Sequence, residues 1–178
     1  MRLLVRPSRA QPLALPTRWR VTAAGADRVC LEGRSSASGV SLATTITVDF
    51  DGFTRLDVQL RPQMMLELEE MWVEIPLRPQ RARLMYHRLA QGGNYYGPAP
   101  AQRTAWPFLP VIWLGDHTRG LCWFAEVPRG WRNADGQQRL EWLPGGREDV
   151  LRVRLIDLPT PVSEPVVFSF GLLATPPK

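Results

Sequence analysis

The hydrophobic residues of this chain recur at every second position over several segments, a period that is typical of β-strands. From Val40 to Phe50 the even positions carry mainly large apolar residues, and the odd positions carry Ser, Ala, Thr or Asp. The alternation resumes from Leu56 to Leu60, after the Asp51-Gly52 pair. Each segment is therefore expected to bury one face and expose the other, and together they predict a hairpin.

The turn of this hairpin can be built in two ways. A two-residue turn at Asp-Gly would place an apolar side chain opposite Arg55. A three-residue loop over residues 50–52 instead places Ile46 opposite Leu56, so that the apolar faces of the two strands coincide. We predict the second register, with Gly52 in a left-handed conformation within a bulge.

Three further segments carry the strand pattern. Residues 151–155 and 166–172 alternate clearly, whereas the apolar residues of 64–75 also fit one face of a helix. We interpret residues 64–75 as two strand pieces around a bulge near Glu69 and Glu70, where the apolar positions switch from even to odd.

Prolines and glycines, 17 and 14 in number, interrupt the chain at short intervals and leave little room for long helices. Residues 91–106 have no sustained period, which predicts a long loop. A chain of 178 residues can bury one substantial core. We therefore predict an all-β fold, a two-sheet antiparallel β-sandwich of roughly ten strands. It is expected to be jelly-roll-like or galactose-binding-like and to span residues 1–178 as a single domain.

Charge and hydropathy limit the classes of partner. The net charge is +5, but the basic residues are scattered and nearly all arginine, so we expect no nucleic-acid partner. Apolar runs are only a few residues long, so we expect no membrane partner. The apolar stretch from Met1 to Val5 is too short for the core of a secretory signal and assigns no compartment.

The cysteines and histidines predict neither a metal site nor a cofactor. Cys30 and Cys122 form no CxxC pair, and His87 and His117 do not complete a zinc site with them at a known spacing. One disulfide is an open alternative. We favour two small core residues, because free cysteine is among the most buried residue types.

The segment from Phe108 to Trp131 reads FLPVIWLGDHTRGLCWFAEVPRGW and predicts two strands joined by a polar turn. It resembles the β-sandwich domain that precedes the barrel in glycoside hydrolase family 123 and its relatives. The resemblance extends over most of residues 40–178, including TVDFDGFTRLDVQL at 47–60 and FSFGLLATPPK at 168–178.

This resemblance implies a domain that sits in front of a (β/α)-barrel, with the barrel as its partner. In the family, the barrel holds an acidic pair that acts on N-acetylgalactosaminides with help from the substrate's acetamido group. The pair maps onto no residue here, so no catalytic residue is predicted. We expect a non-catalytic accessory domain that supports a barrel, with sugar binding as a further expectation.

Two carboxylates, Asp116 and Glu126, flank the predicted hairpin and are the candidates for catalysis within this chain. Arg119 lies between them and could lower the pKa of either by pairing. We favour the structural alternative, in which Asp116 caps the turn and Glu126 pairs with Arg119 or Arg129.

Six residues are candidates for contact with a sugar. Their aromatic members would stack on sugar rings, although packing in the core or against a partner domain is the favoured alternative for each ring. The six are Tyr95, Tyr96, Trp106, Trp131, Asp116 and Arg119.

Two other functions remain open at this stage. A free-standing carbohydrate-binding module would expose a planar row of loop aromatics and would bind a glycan by itself. A small glycosidase-like enzyme would use Asp116 and Glu126.

Overall fold

The computed structural model describes residues 1–7, 13–37, 39–89, 92–134 and 139–176. Within these ranges the chain forms sixteen strands and one 3₁₀ turn, Pro79–Arg81, which confirms the all-β prediction. No helix in the described ranges has the length and apolar character needed to cross a membrane. The strands are β1 Arg2–Pro7, β2 Leu13–Ala14, β3 Trp19–Ala24, β4 Arg28–Ala37, β5 Val40–Asp49, β6 Phe53–Pro62, β7 Leu66–Leu77, β8 Leu84–Arg88, β9 Asn94–Pro98, β10 Thr104–Trp106, β11 Val111–Gly115, β12 Gly120–Phe124, β13 Leu140–Leu143, β14 Asp149–Ile156, β15 Thr160–Val162 and β16 Val166–Thr175.

The strands form two antiparallel sheets, as the sequence predicts. Sheet A has seven strands, in the order β10-β13-β14-β7-β1-β2, with β15 also paired to β7. Sheet B has nine strands, in the order β3-β4-β5-β6-β16-β12-β11-β8-β9. The strand count exceeds the predicted ten because several segments, such as β2 and β10, are only two or three residues long.

The core lies between the two sheets and is built from the alternate positions of each strand. In sheet B the even residues of β5, β6 and β16 point inward, and in sheet A the odd residues of β14 and of the second part of β7, from Met71 onward, do so. The largest fully buried side chains include Trp123 of β12, Trp142 of β13 and Phe168 of β16. These rings are among the largest side chains of the core and pack between the two sheets.

The β5–β6 hairpin has the predicted register. Ile46 lies opposite Leu56, and residues 50–52 form the three-residue loop. Gly52 has φ +87°, the left-handed conformation expected of the bulge. The Asp51 carboxylate accepts a hydrogen bond from the Phe53 N–H at 2.9 Å, which closes the turn.

Strand β7 is continuous, but it has the predicted bulge. Arg6 and Pro7 of β1 pair with Glu70 and Leu68, so Glu69 is the extra residue. The bulge reverses the parity, and Leu68 and Met71 are both fully buried.

The prediction of a long loop over residues 91–106 is wrong, because this segment contains β9 and β10. Both are short edge strands, at one end of sheet B and of sheet A respectively. Strand β10 pairs with β13, far along the chain, and a stretch of three residues is too short to show a period.

Neither cysteine lies in the core, which corrects the favoured prediction. Cys30 on β4 and Cys122 on β12 are half-buried on the outer face of sheet B, and neither forms a disulfide. Strands β5, β6 and β16 lie between β4 and β12, a separation of about 19 Å at ~4.8 Å per strand. That distance is too long for a disulfide, whose Cα atoms lie within about 7 Å.

Candidate functional site

The glycines of the segment that carries the family resemblance make room for one tryptophan. Trp113 of β11 lies over Gly115 and Gly120, and a Cβ atom on either glycine would lie 2.4 Å from the indole ring. The indole Nε1 donates a hydrogen bond to Thr175 Oγ1 at 2.8 Å, which ties the β11–β12 hairpin to β16. In this part of the motif, Trp113, Gly115 and Gly120 therefore have a packing role.

Asp116 caps the turn between β11 and β12, as the favoured alternative predicts. Its Oδ1 accepts hydrogen bonds from the Thr118 N–H at 2.7 Å, the Thr118 hydroxyl at 2.6 Å and the Arg119 N–H at 3.0 Å. Its Oδ2 pairs with Arg81 at 2.8 Å. The hydrogen bond from Arg81, with those from Thr118 and Arg119, holds the pKa of Asp116 well below its usual range. Such a carboxylate is a poor proton donor.

Glu126 lies beyond the opposite end of β12 from Asp116. Strand β12 alone separates the two ends by about 13 Å at ~3.3 Å per residue. The carboxyl pairs of glycoside hydrolases lie roughly 5–9.5 Å apart. Within the described ranges Glu126 has no ion pair with Arg119 or Arg129, so the contact predicted for it is not formed. Asp116 and Glu126 do not form a paired acid site.

Two of the candidate aromatic rings pack inside the molecule. Trp131 is only 6% exposed and lies edge-on to Phe108, with ring centroids 5.4 Å apart. This position agrees with packing in the core, the alternative favoured for this ring, and keeps the ring out of reach of a sugar. Trp106 is half-buried, and its ring centroid lies 5.5 Å from that of His87. Burial lowers the pKa of His87, which keeps this imidazole neutral beside the indole.

Tyr95 and Tyr96 are neighbours in β9 and therefore point to opposite faces of sheet B. Tyr95 stacks on His87 at 5.3 Å, and its hydroxyl donates to the Pro98 carbonyl at 2.8 Å. Tyr96 is 68% exposed on the outer face. Arg119 is also exposed, but it lies in the β11–β12 turn. The structure therefore does not bring the six candidates together on one surface.

The outer face of sheet B carries an apolar and aromatic row that sequence reasoning missed. Each member lies opposite the next on the neighbouring strand, so the row crosses six strands. Its members, from β9 to β6, are Tyr96, Tyr86, Trp113, Cys122, Leu173 and Phe53.

At the β6 end of this row lies a groove of about 400 Å³. Its floor is the pair of rings of Phe53 and Phe124, with centroids 5.2 Å apart and planes tilted by 32°. Phe124 lies across Gly171, where a Cβ atom would be 2.1 Å from the ring. The sides are formed by Arg55, Glu126, Val127, Arg129, Val167 and Ser169.

The charged groups of the groove differ in their pairing. The Arg55 guanidinium donates two hydrogen bonds to Asp57, at 3.2 and 3.1 Å, and Ser169 Oγ donates to the same carboxylate at 2.5 Å. Among the described residues, Glu126 and Arg129 have no side-chain hydrogen bond or ion pair. The sequence signal for the site was Phe124, an aromatic residue at an outward position beside the buried Trp123.

The outer face of sheet A is charged. Glu141 of β13 is buried and accepts hydrogen bonds from Arg103 at 2.8 Å and Arg154 at 3.3 Å, with Arg152 at 3.6 Å. Burial acts to raise the pKa of Glu141, but the hydrogen bonds and charges of Arg103 and Arg154 outweigh it, and the pKa is lowered.

Glu141→Gln is expected to lower the free energy of unfolding at pH 7 by about 1–2 kcal/mol, because it removes a carboxylate held by arginines that are partly exposed. A carboxyl group whose pKa is lowered by folding contributes stability above its unfolded pKa, near 4.5, and loses it as the pH falls through the folded value. Urea unfolding at pH 7 and pH 3 should show the difference between the two proteins shrinking at the lower pH. Glu32→Gln, in an exposed pair with Arg20, should change stability by less than about 0.5 kcal/mol. An equal difference at both pH values would contradict this account.

No family model matches the chain, and no curated protein matches it. A solved structure with a similar arrangement is a protein from Escherichia coli K12, provisionally described as an aldose 1-epimerase, with a TM-score of 0.46 and 12% sequence identity. The similarity covers 88% of this chain and 68% of that one.

Proposed function

We propose that this chain is a non-catalytic accessory β-sandwich of a glycoside hydrolase-like protein, in which it supports a barrel domain. The family resemblance of residues 40–178 supports the proposal. The single observation that carries it is an apolar part of sheet B that sheet A leaves uncovered. We call this part the wing. It consists of β3, the first half of β4 and the adjoining ends of β5 and β6.

Exposure increases from the core to the edge strand along one row of the wing. Val21, Leu31, Ile46 and Leu56 lie opposite one another on β3, β4, β5 and β6, all on the core-side face. Leu56 is 1% exposed, Leu31 and Ile46 are half-buried, and Val21 is 57% exposed. The face that forms the core under β6 therefore continues as an apolar surface out to the edge strand.

The opposite face of the wing is polar. Arg20 pairs with Glu32 at 3.7 Å, and Arg28 pairs with Asp49 at 2.6 Å. The wing therefore has one apolar and one polar face, the pattern of strands whose apolar face is buried. Within the described ranges, however, no part of the chain fully covers that apolar face. Exposed apolar patches of this kind commonly mark protein interaction sites.

The accessory role is tested by measuring the association of this domain with a barrel polypeptide that is encoded in, or beside, the same reading frame. Val21→Asp is expected to weaken its association with the domain at least about tenfold, because a carboxylate would be desolvated in the interface. Thr22→Asp is the matched control, since Thr22 is the next residue of the same strand and also exposed. Calorimetric titration gives the two affinities. The unfolding of the isolated domain should change by no more than about 0.5 kcal/mol in either variant.

Three results would contradict the role. These are the absence of any barrel-coding segment in or beside the frame, equal binding by wild type and Val21→Asp, and equal weakening by both variants.

A second candidate function, a free-standing carbohydrate-binding module, is favoured by the groove of Phe53 and Phe124. It differs from the first in predicting sugar binding without a barrel. The glycosidase-like alternative has no such support, because Asp116 and Glu126 lie at opposite ends of β12.

A further inference from the structure

The groove on the outer face of sheet B combines an aromatic floor with charged sides. We infer that it is a saccharide-binding site for one neutral pyranose unit of a glycan, seated on Phe53 and Phe124 and held by Glu126 and Arg129. This inference builds on the proposed accessory function by naming a ligand class and its residues. It concerns a different face of sheet B from the wing, so the two can fail independently.

The floor is an aromatic platform that the backbone of β16 keeps open. Phe124 lies flat against the position of Gly171, and any larger residue there would displace its ring. Phe53 lies beside it, and both rings are half-buried. Aromatic faces carry negative charge density and attract the polarised C–H bonds of a pyranose face.

The sides of the groove supply a hydrogen-bond acceptor and a donor. The exposed Glu126 carboxylate accepts, and the exposed Arg129 guanidinium donates. Sugar hydroxyls do both, so neighbouring hydroxyl groups can engage the two side chains together. Neither side chain has a side-chain partner elsewhere in the described ranges, so binding costs no existing ion pair.

The charge balance favours a neutral ligand. Arg55 is neutralised by Asp57, and the charges of Glu126 and Arg129 are opposite and equal. An anionic sugar would gain from Arg129 but would be repelled by Glu126. The volume, about 400 Å³, falls within the roughly 300–1,000 Å³ of small-molecule sites. The exposed Val127 and Val167 extend the apolar contact at the rim.

The test is calorimetric titration of the whole chain with neutral gluco-, galacto- and manno-oligosaccharides, and with polygalacturonate as the acidic arm. Glu126→Ala and Arg129→Ala are each expected to weaken binding of a neutral oligosaccharide by about tenfold or more. Phe124→Leu should weaken it similarly. Because Phe124 is half-buried, the thermal unfolding of the Phe124→Leu variant is measured in parallel. If that variant fails to fold, Glu126→Ala and Arg129→Ala, both at exposed residues, decide the result.

The matched controls are Arg119→Ala and Tyr96→Ala, an exposed arginine and an exposed aromatic residue outside the groove. Both should bind as the wild type does. Binding to no neutral glycan, binding to polygalacturonate alone, binding unchanged in Glu126→Ala and Arg129→Ala, or loss of binding only in the controls would each overturn the assignment. If the groove variants lose sugar while Val21→Asp still binds the barrel, the groove stands and the accessory role fails. If the groove variants still bind sugar as the wild type does while Val21→Asp loses the barrel, the groove assignment alone is overturned.

Discussion

Replacement of Trp123 by alanine is expected to lower the free energy of unfolding by about 3–5 kcal/mol, the largest effect of any single substitution considered. Trp123 is 1% exposed and lies on β12 between Ile112 of β11 and Leu172 of β16. Its ring also contacts Trp131, with centroids 6.4 Å apart. Alanine would leave a cavity bordered by these three neighbours, and adjacent strands held in a sheet can close it only partly.

Urea unfolding monitored by far-ultraviolet circular dichroism would measure this loss. Trp123→Phe keeps an aromatic ring in place, and Trp123 Nε1 has no hydrogen-bond partner among the described residues. This variant should therefore lose much less stability than Trp123→Ala. Tyr96→Ala, at an exposed ring, should change the free energy by about 0.5 kcal/mol or less. A cost below about 1 kcal/mol for Trp123→Ala would show that the core is not assembled around this ring.

Gly120→Ala is expected to cost about 2–3 kcal/mol, near the upper end of the range for overpacking. The added methyl group would lie 2.4 Å from the indole of Trp113, a rigid ring that also rests on Gly115. The indole would have to move, and it would then lose its hydrogen bond to Thr175.

A double-mutant cycle separates this clash from any general effect of alanine in a strand. In a Trp113→Leu background the same glycine substitution should cost less than about 1 kcal/mol, because the ring it displaces is gone. Gly146→Ala is the matched control, since a Cβ atom there meets no atom within 4 Å. Equal costs of Gly120→Ala in both backgrounds would contradict the packing role assigned to these glycines.

Local patterns predicted the parts of the fold that depend on neighbouring residues. The β5–β6 register follows from the parity of two adjacent strands and a single turn, and the bulge at Glu69 follows from a parity switch within one strand. Strand β10 could not be predicted in this way, because three residues paired with a distant β13 carry no period. The number of short edge strands was underestimated for the same reason.

The candidate site was predicted less well, because its residues meet only through pairings between distant strands. Parity places Phe124 outward, but nothing local indicates that it will lie beside Phe53. That contact forms because β16 lies between β6 and β12, with Gly171 opposite Phe124 and Leu173 opposite Phe53. Trp131 was also a candidate for sugar contact because it follows the turn at residues 128–130, but it packs edge-on to Phe108 in the core, as the favoured alternative predicts.

The position of β16 also sets the order in which the molecule can form. It is the last strand described, and it lies in the middle of sheet B, between β6 and β12. While the polypeptide emerges from the ribosome, the block β3-β4-β5-β6 and the block β12-β11-β8-β9 each have unpaired inner edges until residues 166–175 arrive. Sheet B therefore closes only after residues 166–175 have been synthesised, and its folding is expected to take milliseconds to seconds, as in other domains dominated by long-range strand pairing.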